Sequence, residues 1–292
     1  MKTLVAGWFS FEQMGASAGD LLARDVACEW LERAGRSYEI ALAPPFEGGV
    51  DWRAADPAEY AEVLFVCGPV GNGPPLVEFL ERFRGRRLIG LNVTMLDRIE
   101  TWNPFDVLYE RDSSATTRPD LAFLARAEHV PVVGVVLIDA QPEYGEGDLH
   151  DPAHRAIDEL LATRAGAAVR IDTRLDANAT GLRTPAEIES LIARMDVVVT
   201  TRLHGLVLAL KNGVPALAVD SVAGGAKVSR QAESVGWPIV LRADALDGES
   251  LRQAFDHCLT GSARDSAAAC ARRAATILEA LRDDFVDRLG RE

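Results

Sequence analysis

An arginine and a histidine stand two residues apart in "TTRLHGL", Thr200 to Leu206. A guanidinium holds phosphate or carboxylate through paired hydrogen bonds. An imidazole gives and takes protons near neutral pH. The apolar run "DVVVT" precedes the pair and "LVLAL" follows it, so a strand leads into a buried helix. Thr200 or Thr201 is the expected helix cap, with Arg202 and His204 in the first turn and Gly205 keeping the backbone accessible. At the carboxyl end of a parallel strand, the free amides and dipole of that turn attract anions. The alternative is a satisfied histidine at a domain edge.

The next strand, "VPALAVD", runs into "SVAGGAKVSR". Gly225 there permits close backbone approach, and Lys227 adds a second cation. Two successive strand ends would bring Arg202, His204 and Lys227 together around a small anion; a solvated lysine on an ordinary helix is the plainer reading. Loops after earlier strands supply other candidates. In "GWFSFEQMGASAGD", Gly19 offers its backbone and Asp20 either caps a helix or meets a ligand. "CGPVGNGPP" places Gly71 and Asn72 in a stiff loop before a helix, though without the lysine of a phosphate-binding loop. In "RDSSA", Arg111 and Ser114 suit an oxyanion, and Asp112 is a rival partner for Arg111. His150 and His154 flank a helix start beside Asp148 and Asp151, but no coherent ligand set for a metal accompanies them.

These loops need a scaffold, and the chain provides for one. Runs such as "AEVLFVCG" and "PVVGVVLI" are apolar throughout, as strands buried on both faces are. Helical stretches separate them. "DLLARDVACEWLERAG" carries Leu21, Leu22, Val26, Trp30 and Leu31 at helical spacing, and Gly35 is its stop. The pattern predicts α/β architecture in two Rossmann-like domains, residues 1–128 and 129–262, with parallel sheets facing a cleft. A last helix, 263–292, closes the chain. Ligands of such sheets sit at the carboxyl ends of the strands.

The chain has 292 residues, 48% of them hydrophobic, and a formal net charge of -13. Mean hydropathy is +0.02 and the pI about 4.9. That charge argues against nucleic acid or an anionic membrane surface as partner. Cys28, Cys67, Cys258 and Cys270 form no CxxC pair, which favours a reducing, cytoplasmic setting. The longest apolar runs fall far short of a membrane span, and the N-terminus lacks the pattern of a signal peptide. Expected partners are an anionic small-molecule donor and a hydroxyl-bearing acceptor, with a homo-oligomer as an option. No metal or cofactor is expected.

The order "DVVVTTRLHG…LVLAL…KNGVPALAVD…AKV…SVGWP" closely resembles the polysaccharide pyruvyl transferase family, whose strand leads into an R-x-H-[GA] turn. "RDSSATTRPDLAFL" resembles the family's R-x-x-S and PD-x-x-F elements, and "SAGD" its glycine-rich start. The resemblance implies a GT-B-like fold whose last helix, 263–292, crosses back to pack on the first domain, and transfer of the enolpyruvyl carbons of phosphoenolpyruvate to a sugar diol, with phosphate released. By the same resemblance Arg202 and Lys227 hold the donor, with Gly205 and Gly225 beside it, and His204 is general acid and base. Gly19, Asp20, Gly71, Asn72, Arg111 and Ser114 fall on the acceptor or phosphate side. Many members carry an arginine after the first strand of the second domain, where this sequence has Asp139. Two other readings stand beside this one: a GT-B glycosyltransferase using a nucleotide-activated sugar, and a non-catalytic small-molecule binding protein.

Overall fold

A strand buried on both faces sends alternate side chains to opposite cores. The first strand, β1 (Lys2–Ala6), does this with Leu4 and Ala6 on one side and Val5 on the other. β3 (Tyr60–Val66) repeats it, with Val63 and Phe65 against Leu64 and Val66. The computed structural model describes residues 2–113, 117–138, 145 and 147–290. The chain divides into two units, Met1–Glu128 and His129–Glu292.

In the first unit, α1 (Ala18–Arg33) follows β1 and leads to β2 (Tyr38–Ile40). After β3 come β4 (Pro69–Val70), α2 (Leu76–Arg82), β5 (Arg87–Met95) and β6 (Val107–Glu110). The strands are parallel in the order β2-β1-β3-β5, with β4 and β6 each paired to β5. One face is covered by α1 through Ala23, Val26 and Ala27. The other carries an aromatic core in which Phe11, Trp52 and Phe79 meet edge to face at 5.4–5.8 Å, a geometry favoured by the ring quadrupoles.

The second unit runs β7 (Val132–Val136), α3 (His150–Thr163), β8 (Ala167–Arg170), α4 (Pro185–Ile192), β9 (Val197–Thr200) and α5 (Leu203–Lys211). It continues with β10 (Ala216–Asp220), α6 (Lys227–Val235), β11 (Val240–Arg242), α7 (Gly248–Cys258) and α8 (Gly261–Leu289). Its five strands are parallel in the order β11-β10-β9-β7-β8. Local signals set several helix starts. Thr184 and Glu187 form a reciprocal capping box around Pro185 at the start of α4, the arrangement that satisfies first-turn amides.

Two Rossmann-like α/β units on parallel sheets are the class the sequence predicts. In each sheet the first strand lies one in from an edge, and the chain goes out to that edge before returning to the other side. The order reverses between β1 and β3 in one unit and between β7 and β9 in the other. Ligand crevices form at such reversals.

One detail departs from the sequence reading. The loop "CGPVGNGPP" contains β4, held by β5 rather than by any strand-like pattern of its own. The expected last helix is α8, whose first turns belong to the second unit. Ala263, Ala267 and Cys270 are buried in that unit's core, whereas Leu278, Leu281, Phe285 and Leu289 of the same helix are exposed.

Candidate functional site

The two threonines of "TTRLHG" tie strands together instead of capping the helix. The Thr200 hydroxyl donates to the Val136 carbonyl at 2.8 Å and accepts from the Arg202 amide at 2.9 Å. Thr201 Oγ1 accepts from the Ile138 amide at 3.1 Å. Both side chains therefore lock the end of β9 to the end of β7, the strands that flank the reversal. Arg202 itself is the N-cap residue of α5, with no side-chain cap, so first-turn amides are left without a side-chain acceptor. Arg202 Nη1 lies 3.4 Å from Asp172 Oδ1, and both side chains are mostly buried. His204 is exposed two residues further on and has no hydrogen-bond partner among the described residues.

Gly205 has a different task from the one expected. It is buried, and a Cβ there would stand 2.2 Å from Thr200 Oγ1 and 2.9 Å from Val136 Cγ1. It lets α5 lie close on the sheet and does not open the backbone to a ligand.

The loop after β10 is organised by a residue that the sequence reading passed over. Asp220 is 1% exposed. Its Oδ2 accepts from the amides of Ala226 (2.7 Å) and Ser229 (2.9 Å) and from the Ser229 hydroxyl (2.7 Å). The carboxylate thus caps α6, whose own N-cap residue, Ala226, supplies no side chain for it. The signal was an acid ending a buried strand just before a Gly-Gly turn. Gly225, with φ +80°, borders a cavity of about 530 Å³ with Arg230 and Arg242. That cavity includes neither Lys227 nor the Arg202 turn. Lys227 is the first residue of α6, exposed, on the same sheet edge as Arg202 because β10 neighbours β9.

In the first unit Asp20, Gly71 and Asn72 do come together. They line a cavity of about 690 Å³ with Trp8, Leu96 and Asp97. Asp20 is not the N-cap residue of α1; Ser17 is, and Asp20 closes the capping box, accepting from the Ser17 amide at 2.7 Å. Gly19 sits in that first turn and is not among the lining residues. The Asn72 amide donates to Asp97 Oδ2 at 3.1 Å, a partner that sequence spacing did not reveal. The lining holds two carboxylates and no cation, which suits hydroxyls better than phosphate.

Arg111 is committed elsewhere. Its guanidinium donates to Asp120 (2.8 Å), Asp112 (3.1 Å) and Thr94 Oγ1 (2.9 Å). Burial alone would raise the Asp120 carboxyl, but the Ala122 amide, Arg111 and Asn92 outweigh it and hold it below its ordinary value. The surface-pair reading of Arg111 is the one realised, and it is wider than the Asp112 pair alone. Ser114 and Asp139 lie outside the described residues. Among the described residues, no group of three or more His, Cys, Asp or Glu is placed to hold a metal ion, and no helix is long and apolar enough to cross a membrane.

The family described as polysaccharide pyruvyl transferase matches residues 110–221. The matched stretch includes Arg111, β7 to β10 and the Arg202–His204–Gly205 turn, and is less than half of the chain. No curated protein matches it. Among solved structures, the glycotransferase of kitacinnamycin is 12% identical, covering 98% of this chain and 97% of that one with a TM-score of 0.37. Spinosyn rhamnosyltransferase SpnG is 13% identical over 94% and 96%, with a TM-score of 0.35. The Methanocaldococcus jannaschii UDP-GlcNAc 2-epimerase, in complex with UDP-GlcNAc and UDP, is 9% identical over 96% and 100%, with a TM-score of 0.34. At these identities and scores such structures assign neither fold nor activity to the chain. What it shares with a known family is the stretch from the end of β6 through β10, and that stretch is similar to polysaccharide pyruvyl transferases.

Proposed function

We propose that the protein is a transferase that moves a pyruvyl group from phosphoenolpyruvate to a hydroxyl-bearing, glycosyl-type acceptor. The observation that carries this reading is the family match over residues 110–221, which contains Arg202, His204 and the strand reversal beside them. In this reading Arg202, assisted by Lys227, holds the donor's phosphate or carboxylate. His204 protonates the donor's methylene carbon, and the acceptor hydroxyl adds to the resulting cation as its proton is taken up. Loss of phosphate and attack by a second hydroxyl complete the ketal. The acidic cavity around Asp20, Asn72 and Asp97 is the acceptor pocket.

A second reading, transfer from a nucleotide-activated sugar, is favoured by one observation. Two of the arginines available for a strongly anionic donor already carry carboxylates, Arg202 from Asp172 and Arg111 from Asp112 and Asp120. A nucleotide diphosphate can rest on helix amides and needs fewer free cations. One experiment separates the two. Phosphoenolpyruvate or UDP is titrated by calorimetry, then each donor is incubated with a panel of sugars and followed by ³¹P NMR and mass spectrometry. Pyruvyl transfer requires phosphoenolpyruvate binding, weakened more than tenfold in Arg202→Ala, and phosphate release, slowed about a hundredfold or more in His204→Ala. Binding of UDP with no response to phosphoenolpyruvate replaces the first reading with the second.

A further inference from the structure

The cavity beside Asp20 and Asp97 encloses about 690 Å³, and each of its two carboxylates is engaged at one oxygen only, by neutral donors. Asp20 Oδ2 accepts from the Ser17 amide (2.7 Å) and hydroxyl (2.6 Å), and Asp97 Oδ2 accepts from the Asn72 amide (3.1 Å). Among the described residues, the Oδ1 atom of each accepts no hydrogen bond and neither residue has an ion pair. No arginine, lysine or histidine among the described residues shares the lining. Elsewhere in the chain such charges are met: Asp172 by Arg202, and Asp112 and Asp120 by Arg111.

Trp8, which lines the same cavity, supplies an independent observation. Its Nε1 is buried, and a Cβ on Gly68 would stand 2.0 Å from that nitrogen. The N–H edge is therefore turned into the protein, and what the indole gives the cavity is aromatic carbon. Met14 and Leu96, 40% and 68% exposed, add apolar surface to the same lining. An aromatic ring attracts a cation through its quadrupole and offers an anion nothing. Two carboxylates without counter-ions act in the same direction, as does the chain's net charge of -13. We infer that the acceptor bound here carries a protonated amine as well as hydroxyls: an amino sugar whose nitrogen is not acylated. This inference rests on the reading of the cavity as the acceptor's. An ammonium group has three donors, and the Oδ1 atoms of Asp20 and Asp97 are the acceptors available to it, while the C–H surface of the sugar lies on the apolar lining. An acyl group on the nitrogen removes the charge and adds bulk, and a hydroxyl in its place brings one donor and no charge.

The test is binding to the full chain with no donor present, at about pH 6.5, where a primary amine is protonated. Glucosamine, glucose and N-acetylglucosamine are titrated separately and followed by ligand-observed NMR and calorimetry. The titrations run to about 50 mM, above the millimolar dissociation constant expected of so small a ligand. Glucosamine should bind about tenfold more tightly than either of the others. Asp20→Asn and Asp97→Asn each keep an oxygen for the Ser17 and Asn72 amides, so the fold should be retained, as circular dichroism will show. Each substitution should reduce the preference severalfold, and the two together should abolish it. Equal binding of the three sugars overturns the proposal, as does no binding of glucosamine at the highest concentration, or a preference that survives both substitutions. Displacement of glucosamine by micromolar calcium makes the pair a metal site and also overturns it. A chain that prefers glucosamine but does not bind phosphoenolpyruvate keeps this inference and loses the donor, and the reverse result keeps the donor and loses the amine.

Discussion

Asp172 Oδ1 lies 3.4 Å from Arg202 Nη1. The two residues belong to loops after β8 and β9, strands that are not neighbours, because β7 runs between them. The pair therefore spans the carboxyl end of β7, where a ligand crevice is expected. Asp172 is itself fixed by the amides of Arg174 (2.9 Å) and Ala179 (3.0 Å). Burial works to raise its carboxyl, and those amides with the charges of Arg202 and Arg174 hold it below the ordinary value instead. It remains ionised through the physiological range and competes with any anion for Arg202.

Removing that competitor should be felt directly in binding. Asp172→Asn keeps the side-chain shape and deletes the charge, so an anionic donor should bind more tightly by about 1 kcal/mol, roughly fivefold. Arg202→Ala should weaken the same ligand more than tenfold. Calorimetric titration with phosphoenolpyruvate or UDP measures both. Weaker binding to Asp172→Asn would mean that the carboxylate acts by positioning Arg202 and not by competing for it.

A methyl group at position 205 has nowhere to go. The nearest atoms are Thr200 Oγ1 at 2.2 Å and Val136 Cγ1 at 2.9 Å, both fixed in the strand ends. Gly205→Ala should force α5 outward and cost about 1–3 kcal/mol, the usual range for overpacking a core. Urea denaturation reads the loss, and an unchanged midpoint would show that the helix shifts at no cost.

Asp220 holds three donors of α6 from a fully buried position. Asp220→Ala leaves the Ala226 and Ser229 amides without their acceptor and should cost about 2–4 kcal/mol. Asp220→Asn should lose less, since one amide oxygen still accepts. The order of the two denaturation midpoints is the check. Equal losses would assign the effect to charge alone.

The cysteines set an alkaline limit. Burial pushes the Cys28 and Cys67 thiols from 9.0 up to about 11 and that of Cys258 up to about 12. A folded value above the unfolded one means stability is fully present below pH 9 and is lost as pH rises through about 11. The melting temperature should fall progressively above pH 9. At pH 8 iodoacetamide should leave all four cysteines unmodified in the folded chain, and rapid labelling of Cys67 there would contradict its burial.

How far these features could be read in advance depended on where their partners lie. The Arg202 turn was legible because "VVVT" and "LVLAL" on either side carry their own local signals. Asp20, Gly71 and Asn72 could be grouped because all three follow strands of one parallel sheet. Arg111 could not be assigned from neighbouring residues alone, since Thr94 and Asp120 reach it from seventeen and nine positions away. Asp172 needed the strand order itself, which periodicity does not specify. Gly205 was recognised as special for the wrong reason. Its constraint comes from the packing of a helix on two strands, a tertiary contact with no local pattern.

The interior place of the first strand in each sheet bears on how the chain is made. All six strands of the first sheet are complete at Glu110, before β7 begins at Val132. A ribosome releasing the chain from its N-terminus therefore delivers every strand of one sheet before any of the other. β7 and β8, by contrast, can complete their sheet only after β9 has emerged. The first unit, with its cavity around Asp20 and Asn72, can become protease-resistant on a nascent chain that still lacks Arg202.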